Sequence, residues 1–229
     1  MVPASTRTPN DMRFSEPLYS VAEAARFLDL PPSTFATWVR GRGSSQPIVA
    51  SLDRRRSEAE IPFFGLVEGM VVAGFRRSGV SMQHIRKALT ILQHEVGLEH
   101  ALANRALYTE GARILYHHAS MQRDDELLTV VVTGQGVFAP VVEDYLQRIV
   151  YAPDDWAERL ILPITAEPLV EADPHRAFGQ PVFIHGGARM EDVIDRFRAG
   201  EPMAEVAKDF NLRVEDVEAV IRASLAPAA

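Results

Sequence analysis

Three hydroxyl groups and one guanidinium, spaced along one short segment, are the strongest candidates for chemistry in this sequence. Ser33, Thr34 and Thr37 lie near the start of a predicted helix, and Arg40 lies at its end. Hydroxyls can bind phosphate oxygens or base edges, and an arginine can bridge both acceptors of a guanine. On a short helix these groups fit the major groove of DNA. The spacing therefore predicts DNA binding, with a solvent-exposed helical hairpin as the other interpretation.

Two short helices joined by a tight turn must position these groups. The first is predicted to begin at Ser20, which has the spacing of a capping box with Glu23, and to end before Pro31. The second is predicted to begin at Pro32 and to end at Gly41, because glycine commonly terminates helices. Its apolar residues share one face: Phe35, Trp38 and Val39. This arrangement is typical of a helix-turn-helix.

Basic residues after the motif are the predicted contacts with the DNA backbone: Arg42, Arg54, Arg55 and Arg56. The last three lie near the end of two short extended pieces that indicate a small β-wing. The whole chain has a net charge of −7, but its first 56 residues hold eight basic and five acidic groups. A basic head on an acidic body is typical of a DNA-binding head joined to a part with another role.

The middle of the chain, residues 61–150, is predicted to be a helical region with a short strand. Apolar spacing predicts a long helix from Phe63 to Phe75 and a second helix that Ser81 caps. A β-branched run over 127–133 indicates a strand, and helical spacing returns over 137–149. The apolar face of the Phe63 helix is either a dimer interface or part of the internal core.

The remaining segments complete a mainly α fold. Residues 1–17 lack an apolar period and are predicted to be a flexible tail, followed by the winged helix-turn-helix over 18–60. Four prolines indicate a loop-rich linker over 151–175. Residues 176–225 are predicted to form a small C-terminal domain of three helices: Met190–Ala199, Met203–Phe210 and Val214–Ser224.

No complete constellation for catalysis is present in the sequence. It has no cysteine, which excludes disulfides, thiolate metal sites and cysteine nucleophiles. The adjacent acids Asp124 and Asp125 point in different directions, and the pair His117 and His118 lacks a third metal ligand at helical spacing. We therefore predict a protein that is not an enzyme and that needs no metal or cofactor.

Targeting signals are equally lacking in the sequence. No window holds eighteen uncharged apolar residues, so a membrane span is not expected. The first seventeen residues have no apolar run that could form a signal-peptide core. Together with the absence of cysteine, these features predict a cytoplasmic protein without membrane contact.

Three segments of the N-terminal half resemble the MerR-type winged-helix family: Tyr19–Ala25, Leu30–Thr34 and Gly79–Leu89. The resemblance implies a DNA-binding winged helix over the first half of the chain. It also supports an alternative function, that of a dimeric transcriptional regulator that responds to a small molecule.

The last 55 residues resemble a small bacterial domain family of unknown function. The resemblance rests on residues 173–182, the turn Gly186–Arg189 and residues 197–207. That domain recurs in antitoxins paired with PIN-domain ribonucleases. The order and spacing of head and tail together resemble the long VapB-type antitoxins of mycobacteria.

This resemblance implies a type II antitoxin that binds a PIN-domain ribonuclease toxin directly and represses its own operon. Such toxins cut RNA with metal ions held by carboxylates, and an antitoxin often covers that site with an arginine. The candidate residues lie on or beside the first C-terminal helix: Arg189, Arg196 and Arg198. The implied partners are the cognate toxin, operator DNA and a second copy of the chain.

Overall fold

A computed structural model describes five ranges of the chain: residues 11–43, 45–52, 59–96, 100–107 and 140–225. Within them the protein is mainly helical and has one small antiparallel sheet, which agrees with the predicted fold class. The buried apolar side chains form one cluster that extends from the helix-turn-helix to the last helix.

The N-terminal residues pack against this core through a short helix, α1 (Met12–Ser15), which Asp11 caps. The Phe14 ring lies against the rings of Phe64 and Trp156, with centroid separations of 3.9 and 5.2 Å. Residues 11–17 therefore differ from the predicted tail. Their contacts are with residues that are distant in the sequence, so no local sequence pattern indicates this packing.

A largely buried guanidinium, that of Arg13, connects α1 to the C-terminal half of the chain. Arg13 Nη2 lies 2.5 Å from Asp154 Oδ2, and the hydrogen bonds from Arg13 hold the pKa of Asp154 below its usual value. This pair therefore contributes stability above about pH 4, and the contribution is lost as the pH falls through the lowered pKa.

We expect Asp154→Asn to lower the free energy of unfolding at pH 7, because the ion pair with Arg13 is lost. The loss should be only roughly 0.5–1 kcal/mol, because Asp154 is partly exposed. The amide oxygen can still accept the hydrogen bond from Trp156 N, so the turn is retained. Urea unfolding at pH 7 and at a series of lower pH values measures the effect, which should decrease as the pH falls through the lowered pKa of Asp154. Asp155→Asn is the control, since Asp155 faces Arg105 at 3.5 Å with both groups well exposed. Equal losses in the two variants would contradict this assignment.

The helix-turn-helix consists of α2 (Val21–Phe27) and α3 (Pro32–Arg40). The predicted capping box is confirmed: Ser20 Oγ accepts from Glu23 N, and Glu23 Oε2 accepts from Ser20 N at 2.8 Å. Between the helices Asp29 adopts a left-handed conformation with φ 53°. The buried face of α3 holds the predicted residues: Phe35, Trp38 and Val39.

The next two helices are α4 (Phe63–Arg77) and α5 (Met82–Val96). Residues 63–75 of α4 are all buried, so this helix forms the centre of the core. A side chain at Gly69 would meet Phe35 and Leu28, which shows how closely the helix-turn-helix sits on α4. Of the two interpretations of its apolar face, the internal core is the correct one, because these side chains are already covered within one chain.

The described residues between α3 and α4 form isolated pairings instead of the predicted two-stranded wing. Arg42 pairs with Ser45 in a single bridge, and Leu52 N donates to the Glu60 carbonyl at 2.8 Å. The predicted wing arginines fall within 53–58, outside the described residues. So does the predicted strand over 127–133.

After a helix α6 (Pro140–Gln147), four short strands form an antiparallel meander in sequence order. They are β1 (Ile149–Tyr151), β2 (Ala157–Ile161), β3 (Val170–Ala172) and β4 (Val182–Phe183). The segment predicted to be a loop-rich linker thus contains two complete strands of the sheet, β2 and β3. Its prolines lie in or beside the turns between strands, where they interrupt no ladder hydrogen bond.

The C-terminal helices are α7 (Met190–Arg198), α8 (Met203–Asp209) and α9 (Val214–Leu225). All three predicted helices are confirmed, and Asn211 has the left-handed conformation (φ 54°) expected of a cap. They bury a shared apolar set: Val193, Ile194, Val206, Ala207, Val217, Val220 and Ile221. The division of the chain into domains stays a prediction.

Candidate DNA-binding and partner-binding surfaces

The polar face of α3 lies opposite its buried face. Ser33 and Arg40 are exposed, while Thr34 and Thr37 are half-buried. Thr37 Oγ1 donates to the Ser33 carbonyl at 2.9 Å, so its hydroxyl is oriented by its own helix. The structure thus brings the four predicted groups onto one accessible face, and α3 can present them to a ligand without unfolding.

Arg40 has a protein partner that the sequence did not indicate. Its Nη2 lies 2.8 Å from Glu60 Oε1, and Glu60 is only 6% exposed. This ion pair fixes the end of α3 to the segment before α4. The guanidinium is itself half exposed, which leaves other N–H groups for a phosphate. Arg42, just beyond, is exposed as well.

A residue of α4 stabilises the turn between α2 and α3. Arg77 Nη2 donates to both the carbonyl and the Oδ2 of Asp29 at 3.0 Å. This contact stabilises the left-handed turn residue and thereby the angle between α2 and α3. Spacing alone gave no signal for it, because the two residues are 48 positions apart.

Two contacts join the head to the C-terminal part of the chain. The buried Tyr19 hydroxyl donates to the Gly179 carbonyl at 2.7 Å, and burial raises the pKa of this phenol. On the other side of α2, Arg26 Nη2 lies 3.3 Å from Glu191 Oε2 at the start of α7. The candidate partner-binding helix is thus connected to the candidate DNA-binding motif.

The three candidate arginines of α7 differ in how firmly the fold holds them. Arg189, which precedes the helix, lies 3.8 Å from Asp192, and both groups are half exposed. Arg198 faces Glu191 and Asp195, each at 3.4 Å. All three contacts are long for charge-assisted hydrogen bonds, so Arg189 and Arg198 can leave their partners at little cost in free energy.

Arg196 is held far more tightly. It pairs with Glu201 and, at 2.8 Å, with Asp209, and it lies over the Phe210 ring at 5.4 Å. The hydrogen bonds raise the pKa of Arg196 and lower the pKa of Glu201. These contacts connect α7 with the turns on both sides of α8, which is a structural role.

The described residues contain no group of three acidic or histidine side chains placed to hold a metal ion. None of the described helices is both long and apolar enough to cross a membrane.

Two family models match separate parts of the chain. Residues 17–89, which include α2 to the middle of α5, match the family described as "Putative DNA-binding HTH domain". Residues 170–222, from β3 to α9, match "Protein of unknown function (DUF433)". The first match supports the assignment of α2 and α3 as a helix-turn-helix of a DNA-binding type.

Two relatives match nearly the whole chain. The crystal structure of Rv2018 from Mycobacterium tuberculosis superposes with a TM-score of 0.82 and 39% identity, over 93% of this chain and 100% of that one. A protein named "Putative antitoxin VapB45" from M. tuberculosis (strain ATCC 25618 / H37Rv) is 40% identical over an alignment of 219 residues, which covers 88% of this chain and 91% of the relative. The chain therefore belongs to the VapB45 antitoxin family.

Proposed function

We propose that the protein is the antitoxin of a type II toxin–antitoxin pair, which binds its operator DNA and neutralises a PIN-domain ribonuclease by direct contact. The observation that supports this most is the accessible polar face of α3, in a chain that belongs to an antitoxin family. A helix with its apolar face fixed to a core and its hydroxyl face free suits the major groove.

In this proposal the N-terminal residues of α3 read the DNA bases. Ser33 and Thr34 lie in the first turn of α3, the part of a recognition helix that reaches base edges. Arg40 and Arg42 then bind phosphates at the end of the helix. The arginines at 54, 55 and 56 add further phosphate contacts, and an operator with two half-sites requires a dimer.

The two sets of contacts should respond differently to mutation. Arg54→Ala combined with Arg55→Ala should weaken binding to all duplexes about equally and reduce the salt dependence, because phosphates are common to every sequence. Thr34→Ala or Thr37→Ala should instead change the order of preference among duplexes. Titration of several duplexes at two salt concentrations measures both effects. Parallel behaviour of the two sets would mean that α3 is not the recognition helix.

For the toxin contact, the geometry favours Arg189 over Arg196. Arg189→Ala should preserve the thermal unfolding midpoint and weaken toxin binding by roughly tenfold, since one interfacial arginine is removed. Arg196→Ala should lower the unfolding midpoint, because the ties of α7 to Glu201 and Asp209 are lost. Calorimetric titration with the toxin and thermal unfolding give the two readouts. Unchanged toxin binding by the Arg189 variant would remove this residue from the interface.

The alternative function, a dimeric regulator that responds to a small molecule, is favoured by one cavity. About 370 Å³ in volume, it lies between residues 45–48, α4 and α5 and is lined by Glu68, Arg86, Thr90 and Gln93, among others. A small molecule that raises the unfolding temperature, with no protein captured from the cell of origin, would support this alternative.

Co-expression with the protein encoded by the adjacent gene tests the proposed function. We expect a stable complex, relief of that protein's toxicity, and binding of the operon's own promoter that weakens steeply with added salt. If no complex forms and toxicity persists, the antitoxin proposal is wrong.

A further inference from the structure

One aromatic side chain stands almost entirely in solvent. Phe178 is 84% exposed, more than any other large apolar side chain among the described residues. It lies in the turn between β3 and β4, within the segment that matches the second family model. A phenyl ring left in water gains nothing from the fold that holds it.

The backbone that carries this ring is strained. Ala177, Phe178 and Gly179 have φ values of 47°, 54° and 77°, so three consecutive residues adopt the left-handed region. Two of them have side chains, for which this region is unfavourable. Strain of this kind persists only where surrounding contacts enforce it.

Those contacts are present on both sides of the turn. Gly179 accepts the hydrogen bond from the buried Tyr19 hydroxyl, and a Cβ on Gly179 would come within 2.7 Å of Leu18 Cδ1. Upstream, Asp173 is buried and its Oδ1 accepts from His175 N at 2.8 Å. The turn is therefore fixed at both ends and projects the ring in one direction.

We propose that Phe178 is the aromatic anchor by which this antitoxin binds its ribonuclease, inserting into an apolar pocket of that enzyme. This inference rests on the proposed function and names the surface that performs it. A rigid, already exposed aromatic ring loses little conformational freedom on binding, which is why such residues dominate interface energies.

The net charge of the C-terminal part of the chain favours a ribonuclease as the partner that receives this ring. Residues 170–225 hold eleven acidic and seven basic groups. An enzyme that binds RNA presents a basic groove, so its charge complements the net negative charge of residues 170–225. A second copy would bring together two segments of net negative charge, and DNA phosphates would be repelled in the same way.

The test uses the full chain and the ribonuclease encoded by the adjacent gene. Phe178→Asn removes the ring but keeps a residue that tolerates the left-handed conformation, so the fold should survive. Phe178→Tyr keeps the ring. Leu225→Ala is the matched control, because Leu225 is a 60% exposed apolar side chain at the end of α9. Calorimetry measures the affinity, thermal unfolding checks the fold, and sedimentation checks self-association.

We expect Phe178→Asn to raise the Kd for the ribonuclease by roughly 30-fold or more. Phe178→Tyr and Leu225→Ala should stay within about threefold of the parent chain, and operator binding should be unchanged in all three. If the parent chain binds the ribonuclease and Phe178→Asn binds equally well, the anchor is wrong while the antitoxin function stands. If the parent chain does not bind it, both proposals fail. A variant that loses self-association instead would assign the ring to a second copy.

Discussion

Replacing Gly69 by valine is expected to destabilise the protein by about 3 kcal/mol and to weaken operator binding. A Cβ at this position would lie 2.5 Å from Phe35 Cε2 and 2.9 Å from Leu28 Cδ1. Both side chains are fully buried, so neither can move aside into solvent. The helix-turn-helix would have to shift away from α4, and the angle that presents α3 would change with it.

Gly74→Val separates this packing effect from helix propensity. Gly74 lies on the same helix, and its Cβ would meet Tyr145 at 3.0 Å. The nearest atoms are Tyr145 Cβ and Cγ, and this overlap is smaller than the one at Gly69, so the loss of stability should be smaller. Urea unfolding and promoter titration of both variants give the comparison. If the two substitutions lower the free energy of unfolding equally, Gly69 is not needed for the close packing of the helix-turn-helix against α4.

The second substitution is expected to increase the stability of the protein and to decrease its affinity for DNA. Ser33→Asp should raise the free energy of unfolding by about 0.5 kcal/mol, because a carboxylate in the first turn of a helix interacts favourably with the helix dipole. The same carboxylate would face DNA phosphates if α3 lies in the major groove. Operator affinity should therefore fall by roughly 100-fold, since like charges across an interface cost several kcal/mol.

The chain contains a matched control for this change. Helix α8 begins like α3, with a proline cap at φ −60° and ψ 131°, and its second residue, Ala204, is exposed as Ser33 is. Ala204→Asp should give a comparable change in stability and leave operator binding intact. Promoter titration at fixed salt and urea unfolding give both readouts. Equal operator affinities for the two variants would remove α3 from the DNA interface.

Much of the helical structure could be predicted because its signals are local. The capping box at Ser20 and the apolar period of α3 lie within single turns of chain, as do the caps that separate α7, α8 and α9. The resemblance to antitoxins also follows from the order of short motifs, and the relatives bear it out.

The sheet and the docking of α1 could not be predicted in the same way. Strands β1 to β4 have two to five residues, too few for a clear alternation, and their prolines indicate turns and linkers equally well. Whether Phe14 is a tail residue or a core residue depends on Phe64 and Trp156, which are far away in the sequence.

The sequence by itself determined the approximate bounds of α2, α3, α7, α8 and α9 and which face of α3 is apolar, because those features depend on neighbours within one or two turns. Only the tertiary structure decided which arginines are held and which can move, since ion pairs such as Arg40 with Glu60 depend on folding. It also decided that Phe178 faces solvent while residues 63–75 of α4 are buried. The sequence does not distinguish an exposed phenylalanine from the apolar residues of a buried helix, because burial depends on what the rest of the chain covers.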